Sequence, residues 1–190
     1  MAIYQYYLAL IPRKGMIELT DTIPKRIDTD FRNREKYLTI ENTENYEIDS
    51  FEILNQDVWN NSDLSSNEII IQVDKIIKRA DWGNEKYLNN WKIENSEKDN
   101  DAWIELNEKN GKIELFTIRA DLREKDLEFL NGVLQIAKRF DLLLIDVKGN
   151  VLRPEKREIF ISIENSNAFR FVRNPERFIS DLSDGKIEIE

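Results

Sequence analysis

The chain has 190 residues with 37 acidic and 28 basic side chains, a formal net charge of −9, and it contains neither histidine nor cysteine. These absences exclude disulfides, thiolate nucleophiles and Ser-His or Cys-His catalytic pairs, and they remove the preferred ligands of zinc, copper, haem and iron–sulfur centres. The acid excess argues against nucleic-acid binding, which depends on Lys and Arg contacts to phosphates.

The first third of the chain predicts one strand followed by a long excursion. Residues 2–11 are rich in β-branched and aromatic side chains and are apolar almost throughout, which indicates a central strand covered on both faces. Residues 12–65 contain two prolines and a glycine and sustain no long period, so we expect a polar insertion with short strands near 37–40 and 46–54.

Two amphipathic helices are expected further along. Ser65 and Glu68 have the spacing of a capping box and precede apolar residues at helical spacing, which predicts a helix from 66 to about 80. Asp121 and Glu124 repeat this spacing before a second apolar stripe that extends to Phe140. We therefore expect a second core-facing helix here.

A hairpin is predicted between these helices. Asn110-Gly111 favours the positive φ angles of a two-residue type I′ turn. Such a turn defines the register of the two strands. It places Leu106, Leu115, Ile104 and Thr117 on one face and Trp103, Phe116 and Ile118 on the other.

The last third of the chain predicts a buried strand and helices. Residues 142–145 (LLLI) form the strand, and Gly149 ends this region. Helices are expected over 155–164 and 175–182, the second beginning at a proline, which suits the first helical turn. Alternating isoleucines at 159, 161 and 163 leave a strand as the alternative for the first of them.

The predicted elements follow the order β-α-β-β-α-β. This order predicts an α+β fold, a ferredoxin-like antiparallel sheet with helices on one face. We expect a single domain over 1–190, with the polar insertion at 12–65, the core at 66–147 and a C-terminal helical appendix at 150–190.

The negative charge is concentrated in one stretch, residues 41–74, which we call the acidic segment. No basic residue lies between Lys36 and Lys75, whereas nine acids do, and the remaining 28 acids match the 28 bases. Aromatic residues in a charged surround are typical of protein interfaces. The alternative is a solvated loop whose aromatics pack into the core. The expected partner-binding residues are Glu44, Tyr46, Glu47, Asp49, Glu52, Asp57, Trp59 and Asp63.

The carboxyl-terminal part has a mild excess of basic residues. Seven bases and four acids lie between Lys148 and Arg177, and a solvated helix surface accounts for them. The bases are Lys148, Arg153, Lys156, Arg157, Arg170, Arg173 and Arg177.

Motifs for metal or cofactor chemistry are weak. Only a hard cation held by oxygen would suit this composition. A loop beginning at Asp57 has Glu68 at the twelfth position of an EF-hand but Ser62 in place of its glycine, and a loop beginning at Asp99 lacks both residues. Arg119 and Arg123 flank a predicted helix start and fit either an anion site or surface ion pairs, with Asp121 as the helix cap. We expect no metal and no cofactor.

Paired carboxylates are the remaining route to catalysis, as in glycoside hydrolysis. Asp146, at the end of the buried strand, is the best single candidate. The simpler interpretation is a turn residue that binds the local backbone.

Three stretches carry a resemblance to known proteins. They are RADWGNEKY at 79–87, FTIRADLREKDLEFL at 116–130 and ENSNAFRFVRNPERF at 164–178. Together with the acidic composition, they resemble small uncharacterised bacterial proteins of the polymorphic-toxin immunity type. The resemblance implies a cytoplasmic inhibitor that masks a toxin, often a basic nuclease.

Three hypotheses for function follow. The first is a non-enzymatic module, of the immunity-protein type, that binds a basic protein through the acidic segment. The second is a carboxylate-dependent hydrolase or small-ligand-binding protein with a pocket beneath residues 12–65. The third is a structural subunit, which an apolar surface patch would favour. The missing histidines and cysteines favour binding over catalysis, and the cysteine-free chain fits the cytoplasm, without a membrane or nucleic-acid partner.

Overall fold

The structure is a computed structural model that describes residues 3–27 and 57–188. Its strands are β1 (Gln5–Pro12), β2 (Leu88–Glu94), β3 (Asp99–Leu106), β4 (Ile113–Asp121), β5 (Leu142–Asp146) and β6 (Val151–Leu152). Its helices include α1 (Arg13–Thr20), α2 (Ser66–Ile76), α3 (Glu128–Arg139), α4 (Lys156–Glu164), α5 (Asn167–Arg173) and α6 (Pro175–Ser183). Residues 57–60 are also helical. The strands expected near 37–40 and 46–54 lie outside the described residues.

The strands form one antiparallel sheet in the order β2-β3-β4-β1-β5-β6. The α+β class is confirmed, and β1 lies between β4 and β5, as its apolar sequence predicts. Strands β2 and β6 were not expected and form the two edges. A bridge between Arg79 and Trp91 covers part of the outer side of β2.

Each face of the sheet has its own apolar core. Tyr6, Leu8 and Leu10 of β1 point into the larger core, which also holds buried residues of α2, α3 and α4. The alternate residues Ala9 and Ile11 point into a smaller core, which holds Met16 of α1 and Val58. Helices therefore lie on both faces of the sheet, whereas the sequence predicted helices on one face only. The difference arises because α1, within 12–65, was not predicted.

The sequence predicted the start of the first middle helix correctly and that of the second incorrectly. Helix α2 begins after Ser65, whose Oγ accepts a hydrogen bond from the backbone nitrogen of Glu68 at 3.4 Å, as predicted. Helix α3 begins at Glu128 rather than near Asp121, after Leu127 in the left-handed conformation with φ 47°. The Asp121 carboxylate does not cap the helix, because it accepts hydrogen bonds from other partners, described below.

The hairpin is present, but its predicted register is wrong by one residue. Ile104 pairs with Phe116 rather than with Thr117, and both side chains are buried. The loop is longer than two residues, since the Asn107 nitrogen donates to the Lys112 carbonyl and the Gly111 nitrogen to the Asn107 carbonyl, each at 2.8 Å. A register shift at Glu105 and Leu106 absorbs the difference.

The C-terminal region is helical, as expected, with α5 as an additional helix. Ile159 and Ile163 of α4 are buried whereas Ile161 is 52% exposed, the period of a helix and not of a strand. Asn174 caps α6 by accepting a hydrogen bond from the Arg177 nitrogen at 3.0 Å, and Pro175 opens the helix. Among the described helices, none has both the length and the apolar character needed to cross a membrane.

Candidate functional site

The structure describes only part of the expected interface. Asp57, Trp59 and Asp63 lie within the described ranges, and Asp57 and Asp63 are exposed. Lys14 donates a hydrogen bond to Asp63 at 2.8 Å, and this bond and the lysine charge lower the pKa of the Asp63 carboxyl. The other expected residues lie outside the described residues: Glu44, Tyr46, Glu47, Asp49 and Glu52.

Residues 58 and 59 fix this part of the acidic segment to the scaffold. Val58 is fully buried in the smaller core, and Trp59, only 2% exposed, packs in the larger one. Gly15 of α1 lies so close that a Cβ added there would be 1.9 Å from the Val58 carbonyl oxygen. Trp59 therefore offers no surface to a partner in this conformation. Its buried indole instead attaches this part of the segment to the larger core.

Two contacts of Lys112 hold the residues that follow. The Lys112 Nζ donates to the carbonyl oxygens of Asn60 at 2.6 Å and Ser62 at 3.1 Å. Lys112 lies at the hairpin between β3 and β4, so the hairpin braces this stretch. The exposed carboxylates of Asp57 and Asp63 thus project from a stretch that is attached to both cores and to the hairpin.

An exposed tryptophan that the sequence did not single out lies just beyond the acidic segment. Trp82 is 56% exposed, and it follows α2 in the loop before β2. The Asn84 side chain donates to the carbonyl oxygens of Ala80 at 2.7 Å and Trp82 at 3.2 Å. It also accepts from the Asn90 nitrogen at 2.9 Å. These hydrogen bonds attach the loop to β2. The Trp-Gly-Asn sequence is the signal from which an exposed tryptophan in a turn could have been predicted.

Asp74, the last acid of the segment, has a structural role. Its carboxylate accepts hydrogen bonds from Arg79 at 2.5 Å and from the Trp91 indole at 2.7 Å, and the Arg79 guanidinium lies 4.3 Å from the centre of the Trp91 ring. Burial alone would raise the pKa of Asp74, but the hydrogen bonds from Arg79 and Trp91 outweigh it, so the pKa is lowered. Asp74 therefore joins α2 to the β2 edge.

Asp146 lies at the centre of a buried hydrogen-bond chain. The Tyr6 hydroxyl donates to Ser162 Oγ at 2.7 Å, and Ser162 donates to Asp146 Oδ2. Asn150 Nδ2 donates to the same oxygen at 2.8 Å. Asp146 Oδ1 accepts from the backbone nitrogens of Lys148 at 2.9 Å and Asn150 at 3.0 Å. These contacts support the interpretation of Asp146 as a turn residue.

A cleft of about 320 Å³ opens beside this chain. Lys25, from the 12–65 region, and Glu158 of α4 help to line it. Glu158 accepts a hydrogen bond from the Arg153 nitrogen at 2.8 Å, and Asp146 accepts four. Both carboxylates are therefore engaged in holding the local backbone, which does not suit a pair of acid and base catalysts.

A second polar group, at one end of β2, β3 and β4, consists of charges in mutual contact. We call it the paired-charge cluster: Lys92, Asp99, Asp101, Arg119, Asp121 and Arg123. Arg119 Nε lies 2.8 Å from Asp101, Arg123 Nη2 lies 2.6 Å from Asp121, and Lys92 contacts Asp99 and Asp101. The Asp121 carboxylate also accepts from the backbone nitrogens of Asp99 and Arg123, each at 2.9 Å.

The environment of Lys92 shows how strongly this cluster holds its charges. Burial alone would lower the pKa of Lys92, but the hydrogen bond with Asp99 and the charge of Asp101 outweigh it, so the pKa is raised. Arg119 and Arg123 are occupied by carboxylates, which supports surface ion pairs over an anion site for them. Within residues 3–27 and 57–188, no group of three or more acidic side chains is arranged to hold a metal ion.

Comparisons with protein-family models, with curated proteins and with solved structures found no match. Function is therefore inferred from the residues of this chain, and membership of the immunity-protein type stays a prediction.

Proposed function

We propose that the protein is a non-enzymatic binding module that engages a basic protein through the acidic segment. The partner that best fits is a toxin domain, masked in the bacterial cytoplasm as immunity proteins mask theirs. The observation that carries this proposal is the charge distribution: nine acids without one base, on a chain that is otherwise neutral. Such a concentrated charge speeds association with a basic surface and favours that surface over others.

The attachment of the segment supports this proposal. Val58 and Trp59 anchor it in both apolar cores, and Lys112 braces the residues that follow. A binding surface that is held in place loses less conformational entropy when a partner docks. The described part of the segment that carries Asp57 and Asp63 thus has a defined position on the scaffold.

Trp82, rather than the buried Trp59, is the tryptophan that suits the role of an aromatic anchor in the interface. Interfaces draw much of their binding energy from a few aromatic and arginine side chains, provided that these are presented in a defined position. Trp82 is exposed, and Asn84 holds its loop. The link from Asp74 through Arg79 connects this loop to the end of the acidic segment. We therefore include Trp82 in the proposed interface.

The hydrolase alternative has less support. The cleft beside Asp146 offers two carboxylates, Asp146 and Glu158, and both are committed to backbone hydrogen bonds. The structural-subunit alternative asks for a contiguous apolar patch, whereas the large exposed apolar residues come from α1, α2, α4, α6 and the Trp82 loop. Binding through charge therefore remains the favoured account.

We also propose that the centre of the fold is a ferredoxin-like sandwich with the long insertion after its first strand. Strands β3, β4, β1 and β5 are neighbours in that order, and α2 and α3 occupy the expected places along the chain. On this proposal β2, β6 and α1 are additions to the sandwich, and residues 41–65 of the acidic segment belong to its insertion.

Reversal of charge tests the proposed interface. We expect that changing Glu44, Glu47, Asp49, Glu52 and Asp57 to Lys slows association with purified basic nuclease domains of toxins by at least about tenfold, because long-range attraction becomes repulsion. Stopped-flow fluorescence measures the association rate, and circular dichroism verifies the fold. Unchanged association, or no binding of the unmodified chain to any of these domains at low salt, would contradict the proposal.

The role of Trp82 has a separate test. We expect Trp82→Ala to speed dissociation from the same nuclease domains by about tenfold or more, because a central aromatic anchor contributes at least a kcal/mol or two. Phe160→Ala is the matched control, since Phe160 is also exposed but lies on α4. Equal effects of the two substitutions would remove Trp82 from the interface.

A further inference from the structure

The C-terminal helices form a cleft lined by arginines. Arg170 and Arg173 come from α5 and Arg177 from the first turns of α6, and all three are exposed around a cleft of about 520 Å³. Asn174 lies between the two helices, and Phe178 is buried in the cleft wall. The sequence alone predicts a solvated helix surface for these arginines. The turn at Asn174 brings them together around one cleft.

The charges of this cleft are only partly compensated. Arg177 Nε lies 3.6 Å from Asp181, and Lys186 Nζ lies 3.6 Å from the other oxygen of the same carboxylate. In the part of the chain that the structure describes, neither Arg170 nor Arg173 forms an ion pair. Three guanidinium groups against one lining carboxylate leave an excess of two positive charges.

We propose that this cleft binds the phosphate group of a small phosphorylated molecule. A phosphate monoester near neutral pH approaches two negative charges and offers three acceptor oxygens, which suits a cleft with three guanidinium donors and an excess of two positive charges. A carboxylate has one charge and two oxygens, and would leave part of the cleft unmatched. The first turn of α6 adds the favourable end of a helix dipole, and Phe178 and Ile187 provide apolar contact for the rest of the ligand.

The same observations favour a small ligand over a nucleic acid. A nucleic-acid strand needs a basic track along several phosphates, whereas these arginines lie around one cleft of a chain with a net charge of −9. Screening limits attraction and repulsion to about 8 Å at physiological ionic strength, so a small anion in the cleft responds mainly to its three arginines. The site lies on α5 and α6, and its existence does not depend on the acidic segment.

Isothermal titration calorimetry of the full chain tests the proposal, with inorganic phosphate, ATP and a single-stranded oligonucleotide as probes. We expect phosphate and ATP to bind, and the double variant Arg170→Gln/Arg173→Gln to weaken ATP binding by at least about tenfold, because two charge-assisted contacts are lost. The matched control is Arg153→Gln/Arg157→Gln, which removes two exposed arginines outside the cleft and should leave the affinity unchanged.

Three results would overturn the proposal. The first is no binding of phosphate or ATP by the unmodified chain. The second is an equal loss of ATP affinity in the control variant, which would indicate an effect of net charge alone. The third is tighter binding of the oligonucleotide than of ATP, which would indicate a nucleic-acid surface. Urea unfolding of both double variants verifies that these exposed substitutions leave the fold intact.

Discussion

The paired-charge cluster and the acidic segment use the same kind of side chain for opposite purposes. In the cluster, carboxylates lie against Lys92, Arg119 and Arg123, and Asp121 is fully buried. The acidic segment has nine acids and no base of its own; Lys14 pairs with Asp63 and Arg79 with Asp74, and the Asp57 and Asp63 side chains are exposed. Charges of the first kind hold the sheet together, whereas charges of the second kind are available to a partner.

Removal of Asp121 has the largest expected effect on stability. We expect Asp121→Ala to lower the free energy of unfolding by about 3 kcal/mol, because it leaves the Arg123 guanidinium without its carboxylate and two backbone amides without their acceptor. Urea denaturation measures the change. Asp126→Ala is the matched control, since Asp126 is exposed, and a shift within about 0.5 kcal/mol is expected there. Equal shifts would show that the cluster is not structural.

Gly15 tests the attachment of the acidic segment to the scaffold. Gly15→Ala should lower the free energy of unfolding by about 2 kcal/mol, because the new methyl group would meet the Val58 carbonyl at 1.9 Å. Alanine favours a helix over glycine by only about 1 kcal/mol, so the clash with backbone atoms outweighs this gain. Thermal and urea unfolding provide the measurement. Ile17→Ala, an exposed change on the same helix, should be nearly neutral, and a neutral Gly15→Ala would mean that the contact is loose.

Asp74 gives the third and smaller effect, which depends on pH. Because its pKa is lowered on folding, its stabilisation is present above the ordinary value of 3.8 and is lost as pH falls through the folded value. Asp74→Asn should therefore cost about 1 kcal/mol or less at neutral pH, since the group is partly exposed, and the difference from the unmodified chain should shrink below about pH 4. A difference independent of pH would contradict this account.

Much of the scaffold was predictable because its signals are local. Apolar runs predicted β1 and β5, and the Ser65 cap with its apolar stripe predicted α2. The errors arose where distant contacts decide the outcome. The hairpin register follows from a six-residue loop stabilised by Asn107, and α3 starts late because Asp121 is used by Asp99 and Arg123.

The functional features were less accessible to sequence. Charge counting located the acidic segment, and the turn interpretation of Asp146 agrees with its contacts. Trp82 and Trp59 have similar surroundings in sequence, and only packing distinguishes the exposed indole from the buried one. The arginine cleft depends on the angle between α5 and α6, which the order of residues does not reveal.

The salt dependence of association is the most direct test of the central claim, that the acidic segment attracts a basic partner. Two variants undergo the same change in net charge. One reverses Glu44, Glu47, Asp49, Glu52 and Asp57 to Lys, and the other reverses five exposed acids outside the segment: Glu97, Glu108, Asp126, Glu164 and Glu176.

Association rates with the basic nuclease domains are measured for both variants and for the unmodified chain over a range of ionic strength. We expect the rate of the unmodified chain to fall steeply with salt, the rate of the scaffold variant to follow it, and the rate of the segment variant to be low and almost independent of salt or to rise with it. Identical salt dependence of the two variants would mean that net charge alone governs association, and would contradict the placement of the interface in the acidic segment.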